Sequence, residues 1–200
     1  IMPLIKSISG IRGTLENIPG ESLSDYDVKQ FTLAYLEEII LYESSKTILV
    51  GRDARKSGKR ISNIIIDVVL NEGYNVIDLG LVTTPTIGIA VKKHKTAGAI
   101  MISASHNDEK WNALKLLNSN GEFLHPEEVQ KVIKETKRTQ SNKEKPGNLS
   151  SYANALDDHI NLILSQNFIN KNNIASKSIA VAVDGINSVS YTHLRAHETT

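Results

Sequence analysis

The sequence predicts an α/β fold: a three-layer α/β/α domain on a mixed, largely parallel sheet, followed by the start of a second, similar domain. Three observations lead there. Short apolar runs alternate with amphipathic helical segments, the pattern of strand–helix–strand units. The strands are apolar throughout, which suits burial on both faces. A later pair of neighbouring strand-like segments without a helix between them makes the sheet mixed.

The elements follow in order. "SDYDVKQFTLAYLEEIILYES" places Val28, Phe31, Tyr35, Leu36, Ile39 and Ile40 at helical spacing, with Ser24 as N-cap. "TILVG" (Thr47–Gly51) is a short buried strand and "RDARKSGK" a polar loop. "RISNIIIDVVLNEG" is a helix with Ile61, Ile64, Ile65, Val68 and Val69 on one face, stopped at Gly73. "NVIDLG" (Asn75–Gly80) is a strand and "LVTTPT" a loop, and Pro85 suits the first turn of a helix reaching about Lys93. "AGAIMIS" and "NALKLLN" are strands, and "NSNGEFL" turns into a further short one. "HPEEVQKVIKETKR" is an amphipathic helix. "TQSNKEKPGNLSS" (Thr139–Ser151) reads as a surface loop or linker, "YANALDDHINLILSQNFI" as one more helix, and "KSIAVAVDGINS" as a fresh strand. The expected organisation is a domain over 2–138, a linker and connecting helix over 139–176, the opening of a second domain over 177–188, and a tail over 189–200.

That tail, "VSYTHLRAHET" (Val189–Thr199), interrupts a strand–loop that ought to lead into a helix. It resembles the translated reading of a transposase-type sequencing adapter over eleven residues in order, so it is set aside from fold reasoning. His193 and His197, four apart within it, are therefore not metal ligands. The natural protein is expected to be longer, the gene fragment ending near Ser188, with Met2 as the natural start.

Composition narrows the function. Charged residues make up 22% and hydrophobic ones 40%, with a formal net charge of +1, so nothing argues for nucleic acid or an acidic membrane surface as partner. The sequence has no cysteine, which excludes disulfides, thiolate catalysis and Cys-based metal sites. No apolar run reaches the roughly 18 residues of a membrane span, and the start does not read as a signal peptide. A cytoplasmic location is the expectation.

Four constellations carry chemistry. Ser105, His106 and Asn107 follow an apolar strand, the place where open α/β sheets hold ligands. Neighbouring side chains in extended chain point to opposite sides, so Ser105 and His106 make a poor nucleophile–base pair, and no Gly-x-Ser-x-Gly elbow surrounds them. A serine carrying phosphate, with nearly two charges and three acceptor oxygens, needs cations and N–H donors around it. Arg12 between two glycines in "SGIRGT" can supply a two-pronged grip. "GRDARKSGK" leads through Arg52, Arg55 and Lys56 to a helix N-terminus, as phosphate contacts or as solvated charges with Asp53 pairing to an Arg. Lys115 is the one charge in the strand "NALKLL", either pointing to water or reaching the serine loop to hold phosphate or move a proton.

Together these motifs are similar to the α-D-phosphohexomutase superfamily. Its phosphoserine loop reads Thr-Ala-Ser-His-Asn-Pro, against Ser103-Ala104-Ser105-His106-Asn107-Asp108 here. Its Gly-Ile-Arg-Gly matches Gly10–Gly13, its Gly-Arg-Asp-x-Arg-x-Ser matches Gly51–Ser57, and "TTPT" (Thr83–Thr86) and Lys115 match further family positions. The resemblance covers about residues 2–188. It implies a first domain of the phosphoglucomutase type and phosphoryl transfer between O6 and O1 of a hexose phosphate through a 1,6-bisphosphate. Ser105 would carry the phosphate and give Mg²⁺ one oxygen, with Lys115 as acid/base and His106 assisting. Arg12, Asn107 and Arg52 would bind phosphate or substrate. A glucose or glucosamine 1,6-bisphosphate would act as activator. Two departures stand out: Asp108 replaces the usual proline and Ser103 the usual threonine.

Family members have four domains, with the Asp-Gly-Asp-x-Asp-Arg metal loop, the sugar-selecting loop and the phosphate clamp in the other three. The 200 residues are therefore expected to be inactive by themselves. Asp184 reads as a loop residue rather than a metal ligand. "SGIRGT" with "WNALKLLN.NGEFL" looks most like the phosphoglucosamine mutases. Phosphomannomutase/phosphoglucomutase is an alternative, and a non-catalytic phosphosugar-binding or structural domain is an alternative of another class.

Overall fold

The computed structural model describes residues 4–134, 138–141, 143–177 and 179–182. Among the described residues, seven strands and six α-helices alternate as the sequence predicts, with additions at both ends. The strands are β1 (Ile5–Ser7), β2 (Gly10–Thr14), β3 (Thr47–Arg52), β4 (Asn75–Leu81), β5 (Gly98–Ile102), β6 (Trp111–Leu117) and β7 (Leu149–Ser151). The helices are α1 (Asp25–Glu38), α2 (Gly58–Asn71), α3 (Thr84–His94), α4 (Pro126–Lys134), α5 (Ala155–Leu164) and α6 (Lys171–Ala175).

Local chemistry sets the helix ends. Ser24 caps α1, its hydroxyl accepting from the Asp27 amide at 3.1 Å while the Asp27 carboxylate accepts from the Ser24 amide at 3.3 Å. Thr83 caps α3 and Pro85 sits in its first turn. Gly73 takes a φ of 83° just past α2, a conformation glycine adopts without a Cβ penalty.

All seven strands form one sheet in the order β1-β2-β6-β5-β3-β4-β7. β3 pairs parallel with both β4 and β5, and β7 parallel with β4, whereas the β1–β2, β2–β6 and β5–β6 pairs are antiparallel. Five strands thus run one way and two, β1 and β6, against them. Side chains alternate across this sheet and define two cores. Ile48, Val50, Ile100, Ile102, Leu114 and Leu116 pack with α1, α2 and α4. Leu49, Ala99, Met101 and Leu117 pack with α3 and Ala155 of α5. The three-layer expectation holds.

Five local expectations change. β1 and β2 are strands, although "SGIRGT" is too short and glycine-rich to show it; pairing to β6 organises β2. β7 lies inside the stretch read as linker, all three residues exposed, and pairing with β4 makes it a strand. Phe123 makes a single bridge to Leu117 in place of the short strand after "NSNG". Residues 179–182, expected in a strand, show none, and α5 stops at Leu164. The adapter-like tail and Asp184 lie outside the described residues. Among the described residues no helix is long and apolar enough to cross a membrane.

Candidate active site

The C-terminal ends of three neighbouring parallel strands supply three loops: Asp53–Ser57 after β3, Val82–Thr83 after β4 and Ser103–Lys110 after β5. They are stitched to one another. The Asp53 amide donates to the Ile102 carbonyl at 3.0 Å, and the Val82 amide to the Arg52 carbonyl at 3.0 Å. Open α/β sheets hold ligands at this edge, where the connections from neighbouring strands leave for opposite faces and open a crevice; here α2 after β3 and α3 after β4 lie on opposite faces.

Ser105 sits at the crest of its loop, exposed, with a φ of 56°. A non-glycine residue in this left-handed region is uncommon and needs support from its surroundings. Within the loop, the Ser105 amide donates to the Ser103 hydroxyl at 3.2 Å and the Asn107 amide to the Ala104 carbonyl at 3.1 Å. The Asp108 carboxylate accepts from the Lys110 amide at 2.9 Å, a side-chain-made turn where the family has proline. His106 is exposed and forms no hydrogen bond among the described residues.

β2 and β6 bring the cations in. Arg12 faces Ala113 across the β2–β6 ladder, and Lys115 lies two residues on from Ala113, so both side chains share one sheet face. Glycine at position 10 permits this approach: a Cβ there would lie 2.6 Å from the Leu114 carbonyl oxygen, and the φ is 127°. The Arg12 guanidinium donates to the Asn107 side-chain oxygen at 3.0 Å and to the Ser9 hydroxyl at 3.4 Å. Arg12 therefore reaches the serine loop through the Asn107 side chain. Lys115 is half-buried; burial first, and the Arg12 charge second, push its ammonium below the usual lysine range, with Asp53 opposing. That shift favours the neutral amine, the form able to accept a proton. Lys115 also walls a cavity of about 660 Å³ between α3 and the turn after β6, beside Thr84, Pro85, Leu117 and Phe123.

The two arginines of "GRDARK" behave differently from each other. Arg52 donates to the carbonyl of its neighbour Asp53 at 3.4 Å and makes no hydrogen bond to the serine loop. Arg55, left open between two roles by its sequence context, is the residue that touches the serine loop, through that loop's backbone carbonyls. It pairs with Asp53 at 3.2 Å, the local pair the sequence suggested. Lys56 is exposed. A second tie joins the same segments: buried Asn112 donates to the Ser57 hydroxyl at 2.9 Å. Sequence reasoning missed Asn112, though an amide inside an apolar strand needs a partner.

Comparison with known proteins agrees with this architecture. The family described as "Phosphoglucomutase/phosphomannomutase, alpha/beta/alpha domain I" matches residues 5–143. The chain is 33% identical over 162 residues to the phosphoglucosamine mutase of Methanococcus aeolicus, covering 78% of this chain and 34% of the relative. It is 32% identical over 155 residues to that of Helicobacter pylori strain P12, covering 75% and 34%. The chain thus spans about a third of the length of the curated relatives it matches. Among solved structures, a phosphoglucomutase/phosphomannomutase family protein of Burkholderia thailandensis superposes with a TM-score of 0.63 at 21% identity, over 81% of this chain and 36% of that one. The open form of the Paramecium phosphoglucomutase parafusin superposes with a TM-score of 0.69 at 14% identity, over 98% and 42%. Residues 5–143 make this chain a member of the phosphoglucomutase/phosphomannomutase family, carrying its α/β/α domain I.

Proposed function

We propose that this chain is the phosphoserine-bearing domain of a phosphohexomutase that moves phosphate between O6 and O1 of a hexose phosphate. The observation that supports this best is the placement of Ser105 at the strand ends, with Arg12 and Lys115 reaching the same face of the sheet. Phosphoryl transfer asks mainly for positioning and charge neutralisation. Phosphorylated Ser105 presents its phosphate from an exposed crest, and Arg12, tied to Asn107 of the same loop, is a two-pronged donor with N–H groups to spare for it. Lys115 as neutral amine takes the proton of the attacking sugar hydroxyl. The bond from Ser105 Oγ to phosphorus breaks as the sugar oxygen–phosphorus bond forms, and Oγ, leaving with the bond's electron pair, takes back the proton that Lys115 received and ends as a hydroxyl. The bisphosphate, turned around, returns its other phosphate to Oγ by the same steps reversed. Asn107, held by Arg12, and exposed His106 line the approach to Ser105, and Arg52 follows at the neighbouring strand end.

Magnesium would neutralise charge on the transferred phosphate. The described residues hold no group of three His, Asp or Glu able to bind a metal, and Asp53 is committed to Arg55. They therefore fit a single contribution, an oxygen on phosphorylated Ser105, with the other ligands in the remaining domains of the parent protein. A hexose 1,6-bisphosphate would load Ser105 as activator.

Glucosamine 6-phosphate to glucosamine 1-phosphate is the preferred conversion, supported by relatives named phosphoglucosamine mutase at 32–33% identity. Glucose or mannose phosphate is the second reading, favoured by the family to which residues 5–143 match. The test is a hexose-phosphate panel on the protein expressed from its full reading frame, with mass spectrometry of the Ser105 peptide. Phosphate on Ser105 and loss of all turnover in Ser105→Ala are expected. Turnover that survives Ser105→Ala refutes the mechanism.

A further inference from the structure

Arg55 sits where a phosphate ligand would be expected, in a basic motif beside a helix N-terminus and close to the serine loop. Its hydrogen bonds point elsewhere. A guanidinium has five N–H donors and no acceptor. Nε donates to the Asp53 carboxylate at 3.2 Å. One terminal nitrogen donates to the Asp108 carbonyl and, at 3.3 Å, to the Trp111 carbonyl. The other donates to the Ser105 carbonyl at 2.9 Å and the Asn107 carbonyl at 2.6 Å. Five donors meet five acceptors, and the side chain is 12% exposed. Nothing remains on this side chain to offer a phosphate.

From this saturation we infer that Arg55 is the positioning residue of the transfer reaction: it fixes the backbone of the serine loop from behind and touches neither substrate nor phosphate. The inference rests on Ser105 being the phosphate carrier. Its physical content is independent of that. Carbonyls at three positions of the loop and at Trp111, the first residue of β6, converge on a single planar cation, which Asp53 orients through two contacts, accepting from the Arg55 amide at 3.1 Å and from Nε. Two of the four carbonyls, those of Ser105 and Asn107, flank the segment whose first residue holds the left-handed φ of 56°. A residue in such a conformation persists when its neighbours over-determine it, and Arg55 supplies that constraint. The contrast with Arg12 is chemical. Arg12 uses one donor on Asn107 and one on Ser9, and among the described residues its other donors meet no protein acceptor. One arginine faces the anion and the other holds the loop that carries it.

Lysine at position 55 keeps the charge but offers three donors from one point, and cannot reproduce a planar fork. Arg55→Lys and Arg55→Ala, in the protein expressed from its full reading frame, separate the roles by two readouts. The first is amide hydrogen exchange. The Asn107 and Trp111 amides should exchange at least about tenfold faster in both variants, with Val50 and Ile100 in the central strands unchanged. The second is phosphorylation of Ser105 by a hexose 1,6-bisphosphate. Its maximal rate should fall about 10- to 100-fold, with the half-saturating concentration held within twofold, and added guanidinium should restore part of the rate to Arg55→Ala. Wild-type exchange rates in the loop of Arg55→Lys overturn the inference. So does a variant whose maximal rate is kept while its half-saturating concentration rises, the signature of a phosphate contact. If the wild-type protein takes no phosphate on Ser105, the proposed function fails, and the exchange readout still decides whether Arg55 holds the loop.

Discussion

Removing one oxygen from Tyr35 tests the account of how β5 and β6 are held against α1. Tyr35 is fully buried, and its hydroxyl donates to the Leu117 carbonyl at 2.6 Å and, more weakly, to that of Ala99 at 3.4 Å. Gly98 makes room for it, since a Cβ there would lie 2.2 Å from the hydroxyl. Tyr35→Phe removes a net hydrogen bond of about 1 kcal/mol and leaves a buried carbonyl short of a partner, so the loss should be about 2 kcal/mol. For a chain of this size that is a fall in melting temperature of about 4–8 °C. The same hydroxyl sets a pH signature. Burial raises the phenol above its ordinary value of 10.0. The native state keeps this proton where the unfolded chain loses it. The tyrosine's contribution is therefore complete below pH 10 and declines above it, by about 1.4 kcal/mol per pH unit. The gap between the wild-type and Phe proteins should close roughly 1.5 units above pH 10, since about 2 kcal/mol divided by that slope is about 1.5. Urea unfolding followed by circular dichroism from pH 7 to 11.5 measures both quantities. A gap under about 0.5 kcal/mol at pH 7, or one that stays constant into the alkaline range, refutes the reasoning.

Two further outcomes test the site. Lys115→Met removes a half-buried ammonium whose pKa is lowered, so the native state holds fewer protons than the unfolded chain just below 10.5. Wild-type stability should rise with pH towards that value, and the Met variant should lack this slope and melt higher at pH 7 while failing to transfer phosphate; a lower melting temperature contradicts the assignment. Gly10→Ala places a Cβ 2.6 Å from the Leu114 carbonyl oxygen at a φ of 127°, and chemical denaturation should show a loss of about 2 kcal/mol or more. A loss below about 0.5 kcal/mol would mean that β2 shifts freely against β6.

What was readable in the chain were the features whose physics is local. Ser24, Gly73 and Pro85 announced helix ends because caps act over three or four residues. The apolar runs at β3 and β5 declared themselves because both faces are covered. β2 and β7 escaped notice because neither carries its own pattern: each is a strand through its neighbour's hydrogen bonds, β6 for one and β4 for the other. The site divides the same way. Motifs alone were enough to single out Ser105, Arg12 and Lys115 as candidates. The division of labour between Arg52 and Arg55 was not legible, because it depends on carbonyls about 50 residues away that no side-chain identity reveals.

A grip on carbonyl oxygens is blind to side chains. Every residue of the loop offers Arg55 the same group, whatever it carries beyond Cα, so substitution along the loop leaves the anchor intact. The replacement of the family's proline by Asp108 illustrates the freedom this gives. Its carbonyl still binds Arg55, while its new carboxylate rebuilds the turn on the Lys110 amide. Lineages can therefore retune charge and shape around Ser105 one residue at a time, and pressure against change should concentrate on position 55, outside the loop.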